Sequence, residues 1–205
     1  MGVYSQYIFP RLLDAALSRE EIRKVRQPLL DKVHGEIFEI GFGTGLNLPH
    51  YPRDVRRITT VDPNQGAKRL AERRISQSPI EVVYHPLRAE TLPFERESFD
   101  SVVCTFTLCS IQDVNRALAE VRRVLKTSGR LYFLEHGLAD DPRVQWWQNK
   151  LTPLNRRIGD GCHLNRNAAA LIQDSGFRME QMENFYLAKT PRVGGYLYRG
   201  IAAKV

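Results

Sequence analysis

Glu39-Ile40-Gly41-Phe42-Gly43-Thr44-Gly45-Leu46-Asn47 decides how this chain is read. Glycine recurs at every second position directly after a short apolar run, Gly35-Glu-Ile-Phe-Glu-Ile40. Such a run has the length and residue types of a buried strand. The glycines admit backbone conformations closed to other residues and let a ligand approach the main chain. A dinucleotide loop needs G-x-G-x-x-G, with a pyrophosphate on the N-terminus of the following helix. Leu46 stands where that third glycine would be, which disfavours a nicotinamide enzyme.

On both sides of this loop the chain alternates between strand and helix patterns. Upstream, Ser18 followed by Glu21 is a capping-box pattern that predicts a helix toward Leu30. Before it, Tyr4, Tyr7, Ile8, Leu12 and Leu13 form an apolar stripe that Pro10 is expected to interrupt. Downstream, strands are expected at 57–61, 80–84, 99–106 and 130–134, with two late ones near 177–186 and 196–204. Asn64 is placed to cap a helix through Ser76, and Asp113 to cap one that Ser128-Gly129 would end. A further helix is expected over about 165–174, ending at Ser175-Gly176. Alternation of this kind implies a mainly parallel α/β sheet covered on both faces. Ligands then bind beyond the C-terminal strand ends, so the residues just after each strand carry the information.

After the second strand stand Asp62, Pro63 and Asn64. An acid there can accept both hydroxyl protons of a ribose. Before the fourth strand comes Arg88-Ala89-Glu90-Thr-Leu-Pro-Phe94, and after it Thr105-Phe-Thr-Leu108-Cys109-Ser110. These four elements, in this order, resemble the cofactor motifs of the class I S-adenosylmethionine-dependent methyltransferases. The resemblance covers roughly Ile37 to Leu134. It implies a Rossmann-like sheet of seven strands, the last antiparallel. It also implies a cofactor site made from Glu39, Gly41, Phe42, Gly43, Thr44, Gly45, Asn47, Asp62, Pro63, Ala89, Glu90 and Thr105. The cofactor would be S-adenosylmethionine, released as S-adenosylhomocysteine, and no metal is expected. Many relatives carry Asp where this chain has Arg88, which leaves Glu90 or the Ala89 backbone as the adenine contact.

Glu135-His136, Trp146-Trp147 and Ile158-Gly-Asp160-Gly161-Cys162-His163-Leu-Asn-Arg166 are similar to the methyltransferase-like-seven group of animal thiol S-methyltransferases. The chain also resembles unassigned bacterial proteins related to quinone and phospholipid methyltransferases. The resemblance implies a small-molecule acceptor, a thiol first and a quinone precursor or phospholipid amine second. His136 would be base or acceptor contact, with Asp160 orienting it or His163. Tyr7, Trp146 and Cys162 are candidate acceptor contacts, although adjacent helical residues point about 100° apart, so only one of Trp146 and Trp147 can face a pocket. Cys109 and Cys162 could be metal ligands, as in arsenic methylation, but no third cysteine lies at a suggestive spacing, so they are read as buried thiols acting as small apolar groups.

The 205 residues fit one domain, with 1–30 as a helical cap or lid and 35–205 as the catalytic core. Cys104, Cys109 and Cys162 show no paired spacing, so neither disulfides nor a zinc knuckle is expected. The start of the chain lacks the pattern of a secretory signal, and a cytoplasmic protein is expected. A net charge of +7 and a pI near 9.5 favour anionic partners. The arginines are scattered and not interleaved with aromatics, so nucleic acid is not expected, and weak contact with an anionic membrane surface is the remaining reading. Nothing in the residues sets the oligomeric state.

Overall fold

Every residue of the first strand, β1 (Ile37–Ile40), is buried. The strand is central: it pairs in parallel with β2 (Arg57–Val61) on one side and β4 (Phe99–Thr105) on the other. The computed structural model, which describes residues 2–205, adds β3 (Glu81–His85), β5 (Leu125–His136), β6 (Phe177–Tyr186) and β7 (Tyr196–Lys204). The seven strands lie in the order β3-β2-β1-β4-β5-β7-β6. Strand β7 is antiparallel to both neighbours, as expected for the last strand.

Successive strand residues point to opposite faces, and the core divides accordingly. Phe38, Ile40, Val102, Cys104, Leu131 and Phe133 join one apolar cluster; Ile37, Val103, Tyr132 and Leu134 join the other. Helices α4 (Val114–Val124) and α6 (Ala168–Asp174) close the first cluster with Leu118, Val121 and Ile172. Helices α2 (Glu20–Leu30) and α3 (Gln65–Gln77) close the second with Leu29, Leu30 and Ala71. The expected caps form: Asn64 accepts from the amides of Gly66 and Ala67, and Asp113 from that of Arg116.

Three local expectations are corrected. Ser18 does not cap α2; it ends α1 (Phe9–Leu17) in a helical conformation, so Arg19 takes the extended cap position. Pro10 does not break its helix but sits in the first turn of α1, where its missing N–H costs nothing, after a single π-helical turn at Tyr4–Ile8. Ser128-Gly129 do not end α4. The chain turns extended at Leu125, which pairs with Phe99, and Gly129 lies within β5, where a Cβ would press on the Leu125 side chain and the Asp100 carbonyl. The sequence patterns also left α5 (Pro142–Ile158) undelimited, although Asp141 caps it by accepting from the Arg143 amide. No helix among the described residues is long and apolar enough to cross a membrane.

Candidate active site

The C-terminal ends of β1, β2, β4 and β5 open into one cavity of about 720 Å³, well within the range of small-ligand sites. Its floor is the glycine loop. Its roof is α1, which contributes Phe9, Pro10, Leu13 and Leu17.

Positive φ values let the loop turn at Gly41, Gly43 and Gly45. A Cβ on Gly41 would overlap the Thr107 side chain, whereas the corresponding position on Gly43 faces open space, with its nearest atom 3.9 Å away. Gly43 is therefore where a ligand can lie against the backbone. Asp62, at the end of β2, anchors the loop: one carboxylate oxygen accepts from the Gly43 amide at 2.7 Å and the other from the Asn64 amide at 2.8 Å. Burial raises the Asp62 pKa, these two amides oppose the rise, and Asp160 adds to it. Glu39 is fully buried beneath the loop and accepts from Asn47 Nδ2 at 2.8 Å and from the Tyr51 hydroxyl at 2.7 Å. Burial pushes Glu39 up to about 7, against those two hydrogen bonds and the charge of Arg26. Asn47 also donates to Thr105 Oγ1, while its own Oδ1 is buried without a partner.

These residues fit S-adenosylmethionine. The open face of Gly43 takes a close-packed ligand, the two buried carboxylates suit ribose hydroxyls and a cationic amino acid end, and Asn47 Oδ1 is an acceptor in need of a donor. Ala89 is buried at the cavity wall, and Glu90, also on the wall, accepts weakly from the Asp113 amide.

Across the cavity, β5 ends at His136. Its Nε2 lies 3.0 Å from Cys162 Sγ. The Cys109 sulfur beside it, followed by burial, raises the Cys162 pKa, so Cys162 is a thiol. The loop carrying Cys109 is held by Glu135, which accepts from the amides of Thr107 and Leu108 at 2.8 and 3.0 Å.

Of the residues expected at the site, His136, Asp160, Cys162, Glu39, Gly41, Phe42, Gly43, Thr44, Asn47, Asp62, Pro63, Ala89, Glu90 and Thr105 line this cavity. Four expectations are corrected. Gly45 is turned away: it accepts from the Leu48 amide and packs against the Phe42 ring, so its positive φ serves the turn. Trp146 is exposed and packs edge-on against Trp147, because α5 buries the face carrying Val144, Gln148 and Thr152. Tyr7 is half-exposed and lies under the Arg69 guanidinium. Asp160 does not orient a histidine. It accepts from Ser5 Oγ at 2.6 Å, and no hydrogen bond joins it to His136 or His163 among the described residues. The sequence reading named Leu13 on the N-terminal stripe but not the roof residues Phe9 and Leu17, the buried Arg26 or the place of Cys109 in the wall. Only proximity in space marks them.

Residues 38–133 match the protein family described as Methyltransferase domain. Among solved structures, geranyl diphosphate methyltransferase in complex with SAM shares the fold, with a TM-score of 0.68 at 14% identity over 95% of this chain and 87% of that one. Over 194 residues the chain is 35% identical to human Thiol S-methyltransferase TMT1B, covering 85% of this chain and 77% of that protein. It is 38% identical over 155 residues to Thiol S-methyltransferase TMT1B of Rattus norvegicus, covering 72% of this chain and 62% of the rat protein's length. The chain belongs to the class I S-adenosylmethionine-dependent methyltransferases.

Proposed function

We propose that this protein transfers the methyl group of S-adenosylmethionine to the sulfur of a small-molecule thiol. One observation carries the reading: a single cavity has the Gly43–Asp62 cradle at one end and His136 with two cysteine sulfurs at the other, under an apolar roof. Similarity to proteins named as thiol S-methyltransferases supports the choice of acceptor. S-adenosylmethionine, when bound, supplies an electrophilic methyl on a sulfonium. The protein's part is to hold a nucleophile in line with that methyl and to keep water out. Glu39, Asn47, Gly43 and Asp62 hold the cofactor end, Phe9, Pro10, Leu13 and Leu17 exclude water, and the His136 end receives the acceptor. The test is S-adenosylhomocysteine release against a panel of thiols, phenols, amines and quinones. Turnover is expected with thiols. If every thiol fails while a quinone precursor or phospholipid amine turns over, the acceptor assignment is wrong and the methyl-transfer reading stands.

The segment before Ser18 acts as a cover that retains the cofactor. It is held at its edges. Tyr4 donates to the Ile158 carbonyl, Ser5 to Asp160, Arg69 to the Gln6 carbonyl, and Asp14 pairs with Arg74 at 2.8 Å. Gly66 in α3 offers a test, since a Cβ there would overlap the Gln6 carbonyl oxygen. Gly66→Ala is expected to speed cofactor dissociation several-fold, at a stability cost of about 1–3 kcal/mol from overpacking. Stopped-flow release of S-adenosylhomocysteine reads the rate. An unchanged rate in the variant would show that the segment packs without covering.

A further inference from the structure

Cys109 from the loop after β4, His136 from the end of β5 and Cys162 from the loop after α5 place one ligand atom each within 4.8 Å of one another. We infer that these three residues form a binding site for a single Zn²⁺ ion, with the fourth coordination position open to the cavity. The expectation that no metal belongs here rests on the lack of a third cysteine at a suggestive spacing from Cys109 and Cys162; the fold supplies His136 as the third ligand instead.

The donor set is chemically specific. Two sulfurs and an imidazole nitrogen suit a borderline-soft divalent ion, and three protein ligands with an open fourth position are the pattern of reactive zinc sites. In a tetrahedral site with metal–sulfur bonds of ~2.3 Å and metal–nitrogen bonds of ~2.0 Å, the ligand atoms stand about 3.4–3.8 Å apart. To close on an ion, the His136–Cys162 separation of 3.0 Å opens by about half an ångström and the others, all within 4.8 Å, shorten by at most about one ångström.

The backbone around the cluster is pinned from three directions. The Cys109 carbonyl accepts from the His163 amide at 2.9 Å, the Cys162 carbonyl from Asn155 Nδ2 at 2.8 Å, and the Leu108 carbonyl from Arg166. The ligands are thus presented by segments already fixed in place. Ion binding releases the protons of Cys109 and Cys162 to solvent, giving two thiolates and a neutral imidazole, so the site with its metal carries no net charge.

All three ligands line the cavity, so the open position faces the acceptor end. In this role the site rests on the thiol reading above. A thiol that displaces water from the metal loses its proton to solvent and stays bound as a thiolate, which is the nucleophilic form.

The experiment uses the full chain purified under reducing conditions and stripped of metal. Titration with Zn²⁺ is expected to give one tightly held ion per chain. Titration with Co²⁺ should give the intense visible absorption of tetrahedral cobalt with sulfur ligands. Cys109→Ser and Cys162→Ser should each weaken Zn²⁺ binding by a hundredfold or more and abolish the sulfur-to-cobalt band. Cys104→Ser, whose sulfur contacts Glu135 and lies outside the cluster, should retain both. Circular dichroism of the metal-free variants confirms that they are folded. Adding a small thiol to the cobalt form should shift the visible spectrum. Absence of stoichiometric Zn²⁺, or a cobalt band that survives both substitutions, would overturn the site. A cobalt spectrum indifferent to thiols would overturn its role toward the acceptor. Thiol turnover undiminished in the metal-free chain would do the same while leaving the methyl-transfer reading intact.

Discussion

Asp62→Ala is expected to weaken S-adenosylmethionine binding by about tenfold to a hundredfold, from the loss of roughly 1.5–3 kcal/mol of charge-assisted hydrogen bonding. The aspartate is nearly buried at the end of β2, and each of its oxygens already serves one amide, Gly43 or Asn64. A carboxylate oxygen has a second lone pair, and these remaining sites face the cavity side where ribose hydroxyls would lie. Alanine removes both kinds of contact at once. The glycine loop loses the acceptor that holds Gly43, and the cofactor loses its hydroxyl partner. Comparing melting of the ligand-free variant with calorimetric binding separates the two: a small drop in melting with a large drop in affinity identifies a ligand contact. Unchanged affinity in a folded Asp62→Ala variant would falsify the assignment.

Glu39 is the second large effect, and it acts through pH. Its pKa in the folded chain is about 7, raised by burial from an ordinary 4.5. Because the folded-state value is the higher, folding takes up a proton between these limits. The stabilisation is complete below pH 4.5 and is lost as pH rises through about 7. The loss across this window is about 3 kcal/mol in the ligand-free protein. Buried His50 runs the other way, since burial and then the charge of Arg26 lower its pKa to about 4, and its contribution grows as pH rises. The difference between wild type and Glu39→Gln therefore reads Glu39 alone. The substituted amide keeps an oxygen for Asn47, and the Tyr51 hydroxyl can turn to accept from its NH₂ group. Glu39→Ala is the severe variant. It orphans a buried tyrosine hydroxyl and takes the facing carboxylate from buried Arg26, at a cost on the order of 3 kcal/mol. Urea unfolding at pH 5 and pH 7.5 decides the matter. Equal pH slopes for wild type and Glu39→Gln would show that Glu39 does not titrate in this window.

The strand-and-helix order of the core, the glycine loop, Asp62 and the Asn64 and Asp113 caps were all legible in the residues. Each depends on contacts within a few positions of the chain or on a side-chain period. Single turns were harder to read. Ser18 and Glu21 fit a capping box, yet the end of α1 claims Ser18, and Gly129 looks like a helix stop while serving as a close-packed strand residue.

Local sequence determined the sheet and the cofactor end because that end is assembled from the glycine loop and short motifs next to the ends of β2 and β4, each readable where it stands. Only the tertiary structure decided the end of the cavity proposed for the acceptor. There, Cys109 and Cys162 come from two separate loops and His136 from the end of β5, and α1 folds back to roof the cavity from the far end of the chain. The same structure turned Trp146 outward, because the buried stripe of α5 runs through Gln148, whose side chain satisfies the Ala139 amide and the Gly137 carbonyl. No residue spacing encodes these meetings. They follow from the β-sheet order, which sets different strand ends side by side and leaves their loops to share one cavity.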